Sequence, residues 1–314
     1  MLKVLELFAG VGACTIALDR LKIEHEIVDA VEINKYAIDS FNAIHGTNFN
    51  TQDIQSWDKD IDVDLIMHGS PCQDFSIAGK QAGGDIDSGT RSSLLYETIR
   101  IVGKLRPKFV IWENVKNVLS KKHKHNFKNY LTAMQSLGYT NYYQVLNAKD
   151  YGIPQKRERV FTVSIRKDID KTFEFPNKQP LELKLKDLLE TDVDEKYYIK
   201  KMLNVVKTKN YIQWSNSGKN QNSQAERAYY IDNDCMCSIP YCNNSGDKTQ
   251  VLLDEENMIA RKLTPRECWR FMGFTDTDFE KAKGISNVQL YKQAGNSIVV
   301  NVLEAILKNL IGGD

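Results

Sequence analysis

The chain has 314 residues, enough to bury a substantial core and to form one large domain plus a smaller one, or two of middling size, without disulfide staples. Its formal net charge is only +1, which excludes a global electrostatic case for binding a polyanion; any such contact must come from local patches. No run approaches the roughly eighteen apolar residues of a membrane span, and Met1–Phe8 carries Glu6 before passing straight into a glycine turn, unlike a secretory signal.

In chain order, Lys3 to Phe8 reads as a strand and Val11 to Lys22 as the helix after a glycine turn. Glu26 to Val31 is a second strand ending at Glu32, followed by a helix from Asn34 to His45. Strands at Asp64 to His68 and Lys108 to Trp112 follow, with a helix from Ser92 to Leu105 between them, and Val160 to Ile165 supplies another strand. Strands alternating with helices predict an α/β fold with a doubly wound, mostly parallel sheet. Gln73 to Ser92 holds four glycines and no sustained apolar period, as a lid or binding loop would. After Phe175-Pro176 the apolar alternation thins and amide-rich stretches appear at 213–224 and 243–247. These are either loops that read base edges or ordinary solvated loops. Apolar residues at helical spacing from Ser297 to Leu310 should pack back on the first region. The expected division is thus 1–176, a smaller 177–284, and a returning 285–314.

The six cysteines, at 14, 72, 235, 237, 242 and 268, form no disulfide framework and point to a reducing cytosolic interior. Cys235, Cys237 and Cys242 lack a Cys-x-x-Cys pair and a nearby histidine, so no structural zinc is expected.

Two features carry chemistry. Gly69-Ser70-Pro71-Cys72-Gln73 ends one apolar strand with a cysteine just past a proline, and Glu113-Asn114-Val115 ends another. Taken alone, Cys72 reads as a small buried hydrophobe. Open α/β sheets, however, bind ligands outside the carboxyl ends of their strands, where parallel neighbours would deliver thiol and carboxyl side by side. Phe8-Ala9-Gly10-Val11-Gly12 opens a helix after the first strand, so backbone N–H groups can approach a ligand, though it is not the Gly-x-Gly-x-x-Gly of dinucleotide folds. Glu32 suits ribose hydroxyls and Asp53 an adenine amino group; each acid on its own reads equally as a solvated loop end. Together with the glycine turn they favour an adenosine-containing cofactor.

Six segments in order resemble the bacterial-type DNA (cytosine-5-)-methyltransferase family along essentially the whole chain. They are Phe8–Gly12, Pro71-Cys72-Gln73, Glu113-Asn114-Val115, Gln155–Arg159, Arg261–Gly273 and Gln293–Ser297. The resemblance implies a Rossmann-like, S-adenosyl-L-methionine-dependent enzyme with a smaller target-recognition domain. In it Cys72 attacks C6 of a cytosine swung out of duplex DNA. A free thiol with a pKa of about 8.5 needs cationic neighbours, for which Arg157 and Arg159 are the candidates. Glu113, its proton affinity raised by burial, would hold N3 and the exocyclic amine while Arg159 contacts O2. For the cofactor, Phe8 would stack on adenine, Glu32 would bind ribose, and Asp53 with Ile54 would meet the adenine edge. Ala9, Gly10, Val11 and Gly12 form the turn, while Pro71, Leu94, Asn296 and Ser297 line the methionine end. For DNA, the resemblance singles out Gln73, Ser76, Arg91, Gln224, Arg227 and Ser238, with Gln224 filling the vacated base position. Phosphate contacts from Lys116, Lys121, Lys122, Lys124 and Lys128 compete with a solvated helix face.

There are departures from the family pattern. Ile33 stands where relatives often carry a large aromatic, Ala78 where some carry a serine that enters the duplex, and Ser238-Ile239 where Thr-Leu is common. The expected setting is a monomer in a bacterial or phage-infected cytoplasm, with or without a cognate restriction endonuclease. The competing readings are a tRNA cytosine-5 methyltransferase, a non-catalytic DNA-binding module of the same fold, and a nicotinamide-dependent oxidoreductase with a catalytic cysteine. The Cys-Phe-Thr tripeptide of the tRNA subgroup is absent, and the glycine pattern argues against a nicotinamide enzyme.

Overall fold

A computed structural model describes residues 1–70, 94–200, 202–214, 226–239 and 249–312. By their contacts they divide into two compact units. The first comprises Met1–Asn147, Glu158–Asn177 and the chain from Val302 onward; the second comprises Ala148–Arg157 and Lys178–Asn301. Contacts therefore group 148–157 and 285–301 with the second unit, whereas the sequence boundaries assign 148–157 to the first region and open the returning segment at 285.

The first half runs β1 (Leu2–Leu7), α1 (Ala13–Arg20), β2 (His25–Val31), α2 (Lys35–His45), β3 (Leu65–His68), α3 (Leu95–Leu105), β4 (Phe109–Val115), α4 (Lys124–Ser136) and β5 (Tyr139–Asn147). Then come β6 (Gln155–Lys156), β7 (Glu158–Arg166), β8 (Val206–Lys207), β9 (Tyr211–Gln213), β10 (Arg227–Tyr230), β11 (Met236–Cys237), β12 (Gln250–Asp254) and β13 (Ile259–Lys262). The chain closes with α5 (Pro265–Arg270), α6 (Asp276–Lys281), α7 (Asn287–Asn296) and α8 (Val300–Leu310).

In the first unit six strands form a sheet in the order β2-β1-β3-β4-β7-β5. The first four are mutually parallel and β7 is antiparallel to both its neighbours. Val4, Leu5 and Leu7, Leu65 to Met67, and Val110 to Trp112 are all buried, because helices cover both faces of such a sheet. The order reverses between β1 and β3, which places the switch point of the sheet at the carboxyl ends of those strands.

The strands read from apolar runs are present, with one difference that matters. β4 does not stop at Trp112 but continues to Val115, because β7 pairs with Glu113, Asn114 and Val115 through Phe161, Val160 and Arg159. Glu113 therefore belongs to a strand rather than to a loop. α4 bears the lysine-rich helix face, whereas β5 is not anticipated: it is an edge strand with only Tyr139 and Leu146 buried, so its sequence lacks a continuous apolar signal.

The second unit contains a five-stranded sheet, β13-β12-β10-β9-β8, and a two-stranded parallel pair of β11 with β6. Its α5 starts with Pro265 in the first turn and a reciprocal capping box between Thr264 and Glu267. Glu267 also receives two bonds from Arg261, at 2.6 and 2.8 Å, with both side chains essentially inaccessible.

Candidate active site

The turn after β1 is built by backbone conformations that side chains resist. Phe8, Gly10 and Gly12 have φ of 55°, 57° and 81°. A left-handed phenylalanine costs on the order of 1–3 kcal/mol and persists where surrounding structure enforces it. A Cβ at Gly12 would lie 2.1 Å from Nε2 of His45, whereas one at Gly10 would meet nothing within 4 Å. The turn is thus closed beneath Gly12 and open above Gly10, the side from which a ligand can approach its backbone.

Glu6 closes the base of this turn. From inside β1 its carboxylate accepts the backbone N–H of Thr15 at 3.0 Å and the Thr15 hydroxyl at 2.5 Å, capping a helix whose own N-cap, Gly12, has no side chain. Burial raises the carboxyl to about 7 despite these bonds, because desolvation of the anion outweighs the donors.

At the end of β2, Glu32 accepts the N–H of Gly10 at 3.0 Å and that of Asn34 at 2.8 Å, tying the glycine turn to the start of α2. Burial raises its proton affinity against these bonds. Ile33 beside it is 69% exposed, leaving an apolar wall open to solvent. Asp53 accepts the N–H of Gln55 at 3.0 Å. Ile54 turns its side chain into the hydrophobic core, so its contribution to a ligand site comes from the main chain. Leu94 packs partly buried at the N-terminus of α3. Ala9 and Val11 are buried beneath the turn. An open glycine cradle flanked by the partly buried Glu32 carboxylate fits a cofactor with a hydroxyl-bearing nucleoside.

Next to this turn, the carboxyl ends of β3 and β4 lie side by side, with His68 in register with Trp112. Trp112 Nε1 donates to Ser70 Oγ at 3.0 Å, and Asn114 Nδ2 donates to the Ser70 carbonyl at 3.4 Å. Ser70 is the last described residue before Pro71 and Cys72, so the strand end that leads to the thiol is held from β4. Behind it, the imidazole of His68 stacks on Trp112 with centroids 5.9 Å apart and 6° between planes, and Tyr130 packs on both rings. Burial pushes His68 down to about 3, so it is neutral. This aromatic support did not emerge from the sequence; three aromatic residues 18 to 62 positions apart leave no local pattern.

Glu113 and Arg159 meet on one face of the β4–β7 pair, with Arg159 Nε 3.0 Å from Glu113 Oε1 and side chains 12% and 19% exposed. They sit diagonally across the ladder, since Val115 is the residue directly opposite Arg159. Burial and a neighbouring cation act in opposite senses on the proton affinity of such a carboxyl.

The two candidate arginines have different hydrogen-bond partners. Arg157, 4% exposed, belongs to the second unit, where NH1 donates to Ser238 Oγ at 3.2 Å and Ile239 O at 3.0 Å. NH2 donates to Gly295 O at 3.0 Å and Ser297 O at 2.9 Å. Arg157 is thus bonded to four oxygens of the second unit, whereas Arg159 faces the Glu113 carboxylate within the first. The Glu158 carboxylate between them takes Lys116 at 3.0 Å.

Within the second unit, Ser297 is buried at the end of α7 and Asn296 is exposed there. Arg227 donates to Gln213 Oε1 at 3.0 Å and lies over the Tyr211 ring at 4.9 Å. Pro71, Cys72, Gln73, Ser76, Ala78, Arg91 and Gln224 lie outside the described residues. Among the described residues, no group of three or more His, Cys, Asp or Glu side chains is arranged to hold a metal ion, and no helix is long and apolar enough to cross a membrane.

A family model described as C-5 cytosine-specific DNA methylase matches residues 2–312. The chain is 38% identical over 371 residues to the type II methyltransferase M2.ScrFI of Lactococcus lactis subsp. cremoris, covering 99% of each. To the type II methyltransferase M.HhaI of Haemophilus parahaemolyticus it is 35% identical over 317 residues, covering 98% of this chain and 94% of the relative. Among solved structures, the Dnmt2 methyltransferase of S. pombe aligns with a TM-score of 0.73 at 19% identity, covering 99% of this chain and 98% of that one. A DNMT2 variant from Spodoptera frugiperda aligns at 0.75 and 21%, covering 99% of each chain. At those identities the two structures speak to the fold.

Proposed function

Because the chain belongs to the C-5 cytosine-specific DNA methylase family, we propose that it methylates a cytosine turned out of a short double-stranded DNA sequence through a transient bond between the Cys72 sulfur and C6. It is a DNA (cytosine-5-)-methyltransferase whose methyl donor is S-adenosyl-L-methionine. The observation that carries the finer reading is the Glu113–Arg159 pair at 3.0 Å on β4 and β7, one strand away from the β3 end that leads to Cys72.

In this mechanism the Cys72 thiolate adds to C6, and the electron pair displaced from the C5–C6 bond makes C5 nucleophilic. Glu113 holds N3 and the exocyclic amine, so thymine, with a carbonyl in place of the amine and a proton on N3, is refused. Arg159 holds O2 and orients Glu113. Bound S-adenosyl-L-methionine supplies an electrophilic methyl group to C5. Loss of the C5 proton with expulsion of the Cys72 thiolate restores the aromatic ring. The cofactor is held by Phe8, the 9–12 backbone, Glu32, Ile33, Asp53, Ile54, Pro71 and Leu94, with Asn296 and Ser297 at the methionine end. Arg157 and Arg159 are the cationic neighbours that favour the Cys72 thiolate, and Arg157 also orders Ser238, Ile239 and Ser297, in keeping with its bonds to them. Gln73, Ser76, Arg91, Gln224, Arg227 and Ser238 contact the DNA. The smaller domain selects the sequence, and the setting is a cytoplasmic monomer with or without an endonuclease that cuts the same site.

Bisulfite sequencing of DNA from cells expressing the chain identifies the target. A duplex carrying 5-fluorocytosine at that position, supplied with methyl donor, then traps a covalent protein–DNA adduct that Cys72→Ser abolishes while cofactor binding persists. No adduct with the unaltered chain would overturn the mechanism, and labelled methyl transfer favouring tRNA over DNA would overturn the substrate.

A further inference from the structure

We propose that Lys121, Lys122, Lys124 and Lys128 form a phosphate-binding surface that grips duplex DNA flanking the target site, outside the sequence that is methylated. The proposal rests on DNA being the substrate. From residue 114 to residue 149 the chain contains six lysines and no aspartate or glutamate, a segregation of charge in a molecule whose net charge is +1. Lys116 is spent on Glu158, but Lys121, Lys122, Lys124 and Lys128 are all exposed, and among the described residues none is ion-paired with a carboxylate.

Their placement is electrostatically unfavourable for the fold itself. Lys124 opens α4, whose first turn holds no acidic residue, so its positive charge sits at the positive end of the helix dipole. Lys124 and Lys128 stand four apart on one exposed face, a like-charge spacing that weakens a helix. The opposite face, Phe127, Tyr130 and Met134, anchors α4 in the core behind Trp112, so the helix is kept for packing while its outer face accumulates repulsion. An anionic partner relieves that repulsion.

Topology selects the partner. The segment from Lys116 to Lys124 leaves the carboxyl end of β4, the edge of the sheet that carries Glu113, so a duplex whose target base reaches that edge has neighbouring phosphates to offer. Lysine ammonium groups meet phosphates as point charges rather than reading base edges, and the surface therefore adds affinity without sequence preference.

The test replaces all four lysines with glutamine and measures binding over a salt series. One duplex just covers the methylated sequence found by bisulfite sequencing; another extends it by a helical turn on each side. On the long duplex the variant should lose affinity and flatten the slope of log K against log salt by between about 2 and 4, at about 0.9 per phosphate contact. The short duplex and the turnover number at saturating DNA should be unchanged. An unaltered slope on the long duplex, or an equal loss on both duplexes, overturns the proposal. The unaltered chain methylating neither duplex would instead defeat the functional reading beneath it.

Discussion

Glu6→Gln isolates a buried carboxyl that titrates near neutral pH. Its folded value of about 7 lies above the unfolded 4.5, so the stability it contributes is fully present below 4.5 and is lost as pH rises through about 7. A neutral amide keeps an oxygen for the Thr15 donors and never ionises. The stability of the variant relative to the parent should therefore increase with pH, by about 2.5 kcal/mol between pH 5 and pH 8, at 1.36 kcal/mol per pKa unit. His68 gives both proteins the opposite dependence, since its value of about 3 against 6.5 unfolded removes stability as pH falls below 6.5; this cancels in the difference. Urea unfolding of both proteins at the two pH values, with equal m-values as the control, measures it. A difference constant to within about 0.5 kcal/mol would refute the assignment.

Trp112→Phe keeps the ring stacked on His68 but removes the donor to Ser70 Oγ, so stability should fall by about 1–3 kcal/mol. In single-turnover assays the methylation rate should fall with little change in cofactor affinity; an unchanged rate would show that the Trp112–Ser70 hydrogen bond does not position Cys72. Gly12→Ala places a methyl group against His45 and Phe41 in a left-handed conformation, and calorimetric titration should find cofactor binding lost. Arg261→Met strands Glu267 in the second unit, and chemical unfolding should register a loss of about 3–5 kcal/mol. Arg159→Lys retains charge but not the planar fork facing Glu113, so adduct formation on 5-fluorocytosine DNA should slow while Arg157-dependent packing is untouched.

What the sequence determined by itself is what burial writes locally. β1, β3 and the first half of β4 are covered on both faces and appear as apolar runs, while the turn at residues 8–12 announces itself through glycines that its positive φ values require. A glutamate after Trp112 was legible near a strand end because the apolar run stops there, although the strand and its burial continue through Asn114. Tertiary structure decided whatever depends on a distant partner. β7 drew Glu113 into a strand and set Arg159 against it, and within the second unit the carbonyls of Ile239, Gly295 and Ser297 gathered on Arg157. Thr15 made a helix cap of a strand glutamate, and Trp112 reached 42 residues back to Ser70. The reason is that hydrophobic periodicity reports only whether a residue is covered, whereas the direction of a hydrogen bond or an ion pair is fixed by which strand or loop arrives opposite it.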